Sequence, residues 1–191
     1  MTNVYSHLSI PDVILCESQL VLDERGLFTE VFVNQEFQEA SGVNFQVAQS
    51  NFSKSKKGVL RGIHFSIAKQ GQAKLITCLN GKLLDIAVDL RPKSKYFRKY
   101  TSVELSAENG RTLLIPAGFG HAFLALDEGT IMSYLLSSRY SPEEEFSINP
   151  YDTEIGIVWP SGPHIQSKRD QEAPRLQQLF LAGILEGVAG G

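Results

Sequence analysis

Ten short runs of apolar and β-branched residues, separated by turn signals and not by helices, constrain the fold of this 191-residue chain most strongly. The runs span residues 13–16, 27–33, 45–52, 59–65, 74–79, 82–90, 100–105, 111–115, 122–126 and 131–136. The strongest turn signal is Asn80-Gly81, which is typical of a β-hairpin. Strands of this length and spacing are typical of antiparallel sandwiches and barrels. The sequence therefore predicts an all-β fold such as a jelly roll.

Two short helical segments are predicted to flank the strands. The first covers residues 35–40, with Asn34 as its N-terminal cap and Gly42 at its end. The second begins near Pro174 and is expected to pack against the sheet. Its spacing places on one face Leu176, Leu179, Phe180 and Gly183.

Length and composition favour one domain with a substantial core. Apolar residues make up 42% of the chain and charged residues 20%, which is ordinary for a globular protein. We expect a single domain over residues 1–180 and a flexible tail over residues 181–191. The net charge of −3 predicts no general attraction to nucleic acid or to anionic membranes. An anionic ligand would therefore need a local cluster of cations.

The cysteines and the N-terminal residues favour a cytoplasmic location. Cys16 and Cys78 are too few and too far apart for a disulfide framework, and no closely spaced pair indicates a zinc site. Residues 1–10 are polar and lack an apolar segment, so we expect neither a signal peptide nor a membrane span. The cytoplasm then follows as the default.

Three polar side chains, Arg61, His64 and Lys74, lie among apolar, β-prone residues, which is unusual for strands that only pack. In an unbroken strand Arg61 and His64 would face opposite sides. Gly62 lies between them and permits a bulge that brings both side chains to one side. Taken alone, each residue also has a structural explanation: a hydrogen-bonded core histidine, a sheet-edge charge and a solvated lysine.

Other stretches carry more polar detail than packing requires. Phe28 and Glu30 share a strand face beside Arg25, which puts a stacking ring, a carboxylate and a cation within reach of one ligand. Gln49 and Asn51 share a face of another strand. Three more candidates are a histidine in a glycine-rich bend, a strand tyrosine and a carboxylate before the last helix, namely His121, Tyr134 and Asp170.

Taken in this order, the residues resemble the dTDP-4-dehydrorhamnose 3,5-epimerase family of the cupin superfamily, from about residue 13 to about residue 176. Single motifs are weak, but their joint order is specific. The chain departs from the family pattern at Arg139 and over residues 145–152, which puts the sugar-facing geometry in question. The motifs that carry the resemblance are Arg25-Gly26-x-Phe28-x-Glu30, Gln49-x-Asn51, Leu60-Arg61-Gly62-x-His64, Gln72-x-Lys74, Val88-Asp89-Leu90-Arg91, Pro116-x-Gly118-x2-His121-x-Phe123, Tyr134 and Trp159-Pro160.

The resemblance implies a cupin jelly roll, or double-stranded β-helix, with short flanking helices. It implies a homodimer in which an N-terminal strand crosses to the neighbouring subunit. The implied substrate is a nucleotide-linked 4-keto-6-deoxyhexose of deoxysugar and polysaccharide biosynthesis, and the implied reaction uses no cofactor and no metal. Both dTDP and CDP remain open as the nucleotide, because an aromatic ring stacks equally on thymine or cytosine.

The resemblance also implies a role for each matched position. His64 would be the general base, oriented by Asp170, and Tyr134 would be the acid that returns a proton on the opposite face of the sugar. Lys74 would hold the enolate oxygen at C4. Substrate binding would involve Arg61 at the diphosphate, Arg25, Phe28 and Glu30 at the nucleotide base, and Gln49, Asn51 and His121 around the sugar.

Elementary chemistry agrees with a base and a cation that act together. A hydrogen alpha to a ketone can be removed by a modest base only if the developing enolate is stabilised. His64 and Lys74 supply that pair, and inversion requires a second proton-transfer group such as Tyr134. The sequence predicts inversion at C3 and leaves C5 open, because both carbons flank the same ketone and small displacements decide which one reaches the base.

Two other classes of function remain as alternatives. A metal-dependent cupin oxygenase or isomerase would present His-x-His, a later Glu and another His. Here Phe65 and Ser66 follow His64, so the His-x-His pair is missing, and His121 is the only histidine after the Pro116-x-Gly118 turn. Two histidines are too few for such a ligand set. A non-catalytic sugar-nucleotide binding module would need the nucleotide-contacting residues but not the four residues that the resemblance makes catalytic.

Overall fold

The computed structural model of the chain describes residues 3–189 and consists mainly of antiparallel strands. The strands are β1 (Val4–His7), β2 (Ile14–Glu17), β3 (Val21–Asp23), β4 (Gly26–Phe28), β5 (Gln49–Ser55), β6 (Leu60–Ser66), β7 (Lys74–Asn80), β8 (Lys82–Asp89), β9 (Tyr100–Ser106), β10 (Arg111–Ile115), β11 (Phe119–Ala125), β12 (Thr130–Leu136) and β13 (Glu145–Ser147). The helices are α1 (Asn34–Ser41), α2 (Lys168–Gln171), α3 (Leu176–Leu181) and a 3-10 helix (Ile184–Gly187). Over residues 3–189, none of these helices has the length and apolar character of a membrane span.

Two antiparallel sheets form the sandwich. The six-stranded sheet has the order β1-β2-β10-β7-β12-β5, and the five-stranded sheet has the order β13-β6-β11-β8-β9. Strands β3 and β4 form a separate hairpin. Most neighbouring strands are distant in sequence, as in a jelly roll. The prediction of an all-β cupin jelly roll is confirmed.

The space between the two sheets holds an apolar core. Ile76 and Leu113 of the six-stranded sheet cluster with Leu83, Leu105 and Phe123 of the five-stranded sheet. Full burial of each such side chain stabilises the fold by about 1.5–3 kcal/mol. Side chains alternate along a strand, so every second residue of these strands faces the interior between the sheets. At one end of the interior, several of these inward-facing positions hold polar residues and not apolar ones.

Helical segments cover the outer face of each sheet. On the six-stranded sheet, Phe37 of α1 packs with Phe45 and Leu75. On the five-stranded sheet, Leu176 of α3 belongs to a cluster with Phe65. The outer faces are therefore apolar as well, so the core strands read as nearly continuous apolar runs.

The predicted helix boundaries are confirmed in part. Gly42 ends α1 with φ of 69°, in the left-handed conformation that favours glycine. The predicted Asn34 cap is wrong, because Val33 holds the capping position in an extended conformation and no side chain caps the helix. In the last helix Leu176 and Leu179 are buried as predicted, whereas Phe180 is 48% exposed.

The segment after residue 180 differs from the flexible tail that the sequence predicts. The 3-10 helix buries Leu185, and Val188 follows it into the same cluster on the five-stranded sheet. Both side chains are less than 5% exposed. Their apolar burial offsets the conformational entropy of a short, glycine-rich segment. Residues 190 and 191 of the predicted tail lie outside the described residues.

Candidate active site

Gly62 forms the predicted bulge in β6. Its φ is +104°, and the pairing with β11 shifts there: His64 lies opposite His121, whereas Arg61 lies opposite Phe123. Gly62 and Ile63 of β6 therefore lie opposite the single residue Ala122 of β11, so that Arg61 and His64 line one cavity. A Cβ atom at position 62 would collide with the backbone of residues 121 and 122, so this position requires glycine.

The cavity has a volume of about 190 Å³ and lies between the two sheets. The six-stranded sheet contributes Asn51, Lys74 and Tyr134, and the five-stranded sheet contributes His64 and His121. These five predicted residues come from five different strands. The remaining lining residues are Ser53, Arg61, Gln72, Phe123, Met132, Leu136, Tyr140, Glu145 and Arg169.

His64 pairs with the buried carboxylate of Asp170. His64 Nε2 lies 2.7 Å from Asp170 Oδ1, and Asp170 is 2% exposed. Burial raises the pKa of Asp170, but hydrogen bonds from His64, Ser167 and the Gly62 backbone hold that pKa below its ordinary value. An ionised carboxylate can only accept, so Nε2 carries the proton and Nδ1 is the nitrogen that can act as a base.

A short helix delivers this carboxylate. The Ser167 hydroxyl oxygen caps α2 by accepting from the Asp170 backbone N–H at 3.1 Å. The cap fixes the first turn of the helix, and Asp170 lies in that turn. The predicted pairing of His64 with Asp170 is thus present in the structure, whereas the catalytic role of the pair stays a prediction.

Lys74 is a nearly fully buried cation. It is 7% exposed, and its Nζ donates to the backbone oxygen of His64 at 3.3 Å. Burial lowers the pKa of Lys74, and the negative charges of Glu145 and Asp85 act against that shift. A desolvated ammonium group interacts strongly with an anion that forms beside it, because little water screens the attraction.

His121 also pairs with a carboxylate. Its Nε2 lies 2.8 Å from Asp85 Oδ2, and Asp85 is fully buried. The second oxygen of Asp85 has no hydrogen-bond partner within the described part of the chain. Both cavity histidines therefore have a carboxylate partner. In residues 3–189 no group of three or more His, Cys, Asp or Glu side chains is arranged to hold a metal ion.

Tyr134 lies opposite Asn51 in the pairing of β12 with β5. Burial raises the pKa of Tyr134, whereas the charge of Arg61 and a hydrogen bond from Asn51 lower it in part. Gln49 lies two residues from Asn51 on the same face, beside the cavity and outside its lining. Its side chain bonds Asn51 and the Tyr140 backbone.

Three further predicted residues, besides Gln49 and Asp170, are absent from the lining of the cavity in their own chain. Arg25 and Phe28 belong to the β3–β4 hairpin, and Glu30 follows it. Phe28 is 58% exposed, and the Arg25 guanidinium donates to Asp23 Oδ1 at 3.1 Å. The structure therefore separates these residues from His64 within one subunit.

Two charged residues of the cavity lining are absent from the sequence-based prediction. Glu145 accepts from Gln72 Nε2 at 3.0 Å. Arg169 donates to the hydroxyl of Ser147 at 3.0 Å and to the Glu145 backbone oxygen at 3.2 Å. Both acceptors are neutral, so these bonds do not neutralise the positive charge of the Arg169 guanidinium. Arg169 directly precedes Asp170, and that adjacency was a usable signal. Glu145 lies in residues 145–152, which depart from the family pattern, so the resemblance could not indicate a role for it.

Comparisons with known proteins agree on one family. Residues 7–178 match the family model described as dTDP-4-dehydrorhamnose 3,5-epimerase. The chain is 44% identical over 175 residues to the dTDP-4-dehydrorhamnose 3,5-epimerase of Salmonella typhimurium, covering 91% of this chain and 95% of that protein. It is 39% identical over 179 residues to the dTDP-4-dehydro-6-deoxyglucose 3-epimerase of Streptomyces bikiniensis, covering 93% and 91%.

A solved structure is similar over nearly the whole chain. It is a dTDP-6-deoxy-D-glucose-3,5-epimerase from Legionella pneumophila in complex with dTDP-4-keto-L-rhamnose. The TM-score is 0.91 at 37% identity, covering 96% of this chain and 97% of that one.

Proposed function

Because the chain belongs to the dTDP-4-dehydrorhamnose 3,5-epimerase family, we propose that it inverts a carbon beside the C4 ketone of a nucleotide-linked 4-keto-6-deoxyhexose. The chain is an isomerase, an epimerase of deoxysugar biosynthesis. One observation carries the proposed chemistry: a single cavity contains the carboxylate-paired His64, the buried Lys74 and the phenol of Tyr134.

In the first step, Nδ1 of His64 removes the proton alpha to the ketone. The electron pair of the broken C–H bond moves into the ring, and negative charge develops on the C4 oxygen. The Lys74 ammonium group stabilises that oxygen, while Asp170 stabilises the imidazolium that forms. A donor to an oxyanion typically contributes about 10²- to 10³-fold to kcat.

In the second step, Tyr134 donates its phenol proton to the same carbon from the opposite face. The C–H bond that forms has the inverted configuration, and the C4 ketone is restored. His64 then carries one extra proton and Tyr134 lacks one, so exchange with solvent resets both groups. The phenol carries its proton at neutral pH, because burial raises the pKa of Tyr134 from an ordinary value that is already about 10.

The cavity is suited to the sugar alone. Its volume of about 190 Å³ is below the about 300–1,000 Å³ that is typical of sites for larger ligands. Asn51 and His121 then line the sugar, and the diphosphate lies between Arg61 and Arg169. Two guanidinium groups complement a diphosphate well, because each can donate two parallel hydrogen bonds to its oxygens.

The nucleotide base is then bound by the β3–β4 hairpin of a second subunit. This part of the proposal includes a homodimer with exchange of an N-terminal strand. It is supported by the exposed hairpin, where Leu22 is 76% and Phe28 is 58% exposed and neither residue reaches the cavity of its own chain. Exposed apolar groups of this kind are typical of a surface that meets a partner. The cytoplasmic location stays a prediction from the sequence.

The experiment is turnover in heavy water. The protein is incubated with dTDP-linked and, separately, CDP-linked 4-keto-6-deoxyglucose, and proton NMR follows the signals at C3 and C5. We expect loss of the C3 signal together with the appearance of the C3-inverted product. Equal labelling at C5 would extend the activity to both centres. Neither exchange nor inversion with either nucleotide would overturn the proposal.

A further inference from the structure

Gln49 and Asn51 form a short chain of hydrogen bonds beside the cavity. The Tyr140 backbone N–H donates to Gln49 Oε1 at 2.8 Å, and Gln49 Nε2 donates to Asn51 Oδ1 at 3.0 Å. In the pairing of β5 with β12, Asn51 lies opposite Tyr134 and Gln49 lies opposite Leu136. The two amides and the phenol therefore lie on one face of the six-stranded sheet.

The direction of this chain is determined by its first donor. A backbone N–H can only donate, so the atom of Gln49 that faces Tyr140 must be the amide oxygen. The amide nitrogen of Gln49 then faces Asn51, which must accept through its own oxygen. The nitrogen of Asn51, which is a donor, is left for the remaining neighbour, Tyr134.

This direction decides how the phenol can be bonded. Asn51 lies opposite Tyr134 on the same sheet face, and because its unused amide nitrogen cannot accept, the phenol oxygen is the atom to which it can donate. The phenol proton is then not used by Asn51, and Tyr134 lines the cavity. The proton is available to an acceptor in the cavity.

We propose that Gln49 is a positioning residue that, through Asn51, directs the Tyr134 proton into the cavity. Both polar ends of the Gln49 amide are occupied, and Gln49 is outside the cavity lining, so it acts on the sugar only through its neighbours. This inference rests on the proposed function, in which Tyr134 protonates the enolate. It assigns Gln49 a role other than the sugar contact that the family resemblance implies.

The Gln49→Glu variant reverses the direction of the chain with almost no change in shape. A carboxylate accepts from the Tyr140 N–H and also from Asn51, so Asn51 must rotate its amide and present its oxygen to Tyr134. The phenol then donates to Asn51 and not into the cavity. Gln49→Met is the matched control, because it removes both hydrogen bonds without imposing the reverse direction.

The measurement is a ratio of two initial rates in heavy water. Once the imidazolium of His64 has exchanged its proton with heavy water, it can return a deuteron to the same face, which labels the starting isomer. Alternatively, the enolate takes a proton or deuteron from Tyr134, which gives the inverted isomer. Both products come from the same bound enolate, so the ratio of inversion to exchange is independent of substrate affinity. We expect Gln49→Glu to lower this ratio by about tenfold or more, and Gln49→Met to lower it less.

A second measurement needs no substrate. In Gln49→Glu the phenol oxygen loses a donor, so the pKa of Tyr134 should rise further. The phenolate absorbance of each protein, after subtraction of the matching Tyr134→Phe protein, reports this pKa. The added carboxylate charge by itself also raises this pKa, so the pKa shift supports the inference only together with a lowered ratio. A merely structural role of Gln49 would leave the ratio unchanged.

The results separate this inference from the proposed function. A wild-type ratio in Gln49→Glu, or an equal fall in exchange and inversion, overturns the inference while the proposed function stands. If wild-type protein neither exchanges nor inverts, the proposed function fails and the inference fails with it. A lowered ratio together with a raised Tyr134 pKa supports the inference.

Discussion

His64 Nε2 and Asp170 Oδ1 lie 2.7 Å apart, although the two residues are separated by 106 positions in the chain. The carboxylate is buried and its pKa is held below the ordinary value, so it is ionised at neutral pH. It fixes the ring tautomer of His64 and stabilises the imidazolium that forms when the ring takes a proton. This pair is the geometric basis for assigning the base.

The His64→Asn variant should lose both deuterium exchange and inversion, by about 10²- to 10⁴-fold, because the base is removed. Asp170→Asn should be milder, with a loss of about tenfold or more, because it removes only the charge that stabilises the imidazolium. Both are measured by proton NMR in heavy water. The control is His164→Asn, since His164 bonds Tyr151 at the surface and should tolerate the change. Wild-type turnover in Asp170→Asn would remove Asp170 from the mechanism.

The alkaline limit of activity should depend on Glu145. Burial lowers the pKa of Lys74, and the charges of Glu145 and Asp85 oppose this. Only the ammonium form stabilises an enolate, so activity falls as the pH rises through the pKa of Lys74. Glu145→Gln removes one opposing charge, lowers that pKa further and should shift the alkaline limb of kcat to lower pH. The variant leaves the other ionisable side chains of the cavity lining in place, which are Arg61, His64, His121, Tyr134, Tyr140 and Arg169.

The matched control is Glu144→Gln, which makes the same charge change one residue earlier. Glu144 does not line the cavity, so its alkaline limb should coincide with that of the wild-type protein. The two variants are compared by kcat at saturating substrate across the pH range. Coincident limbs for Glu145→Gln and the wild-type protein would contradict the electrostatic role of Glu145.

Tyr134→Phe should separate the two halves of the reaction. Proton removal by His64 does not require the phenol, so deuterium should still enter the starting isomer, whereas the inverted product should be nearly absent. The ratio of inversion to exchange should fall by at least about 10²-fold. Tyr151→Phe serves as the control, because Tyr151 is outside the cavity lining and its hydroxyl bonds His164 at the surface. Normal inversion by Tyr134→Phe would mean that another group or water donates the proton.

Subunit complementation should show whether the hairpin serves a neighbouring cavity. Phe28→Ala and His64→Asn are each expected to be impaired alone. After the two variants are unfolded, mixed in equal amounts and refolded, half of the dimers are mixed, and each mixed dimer has one intact site. We therefore expect about a quarter of the wild-type activity to return. Sedimentation velocity checks that the refolded mixture is dimeric. If a dimeric mixture recovers no activity, Phe28 lies beside its own cavity or outside the site.

Gly62→Ala should destabilise the fold by more than about 2 kcal/mol and abolish activity. The residue has φ of +104°, and a Cβ atom would collide with the backbone of residues 121 and 122. Gly42→Ala is the matched control, because Gly42 also has a positive φ, 69°, but has open space around it, so the loss should be about 1–2 kcal/mol. Urea denaturation measures both values. Equal losses would show that the backbone contact at position 62 is unimportant.

Local features of the sequence were enough to predict several parts of this protein. Alternating apolar runs predicted most of the core strands, because side-chain period and turn chemistry act over a few residues. The same locality explains why Gly62 predicted the bulge that brings Arg61 and His64 together. His64, Lys74 and Tyr134 could be selected as a set because proton abstraction beside a ketone requires a base, a cation and a donor.

Other parts were decided by contacts between distant segments. Asp170 reaches His64, and Glu145 and Arg169 reach the cavity, through the pairing of β13 with β6 and the packing of α2, which no local pattern specifies. Leu185 and Val188 are ordered by burial against a sheet whose outer face is apolar. The direction of the bonds from the Tyr140 backbone through Gln49 to Asn51 likewise exists only once β5 and β12 are paired. The sequence by itself determined the strands and the chemical types of the site, because these depend on near neighbours. The tertiary structure decided the partners of those groups, because sheet order and helix packing depend on the burial of the whole chain.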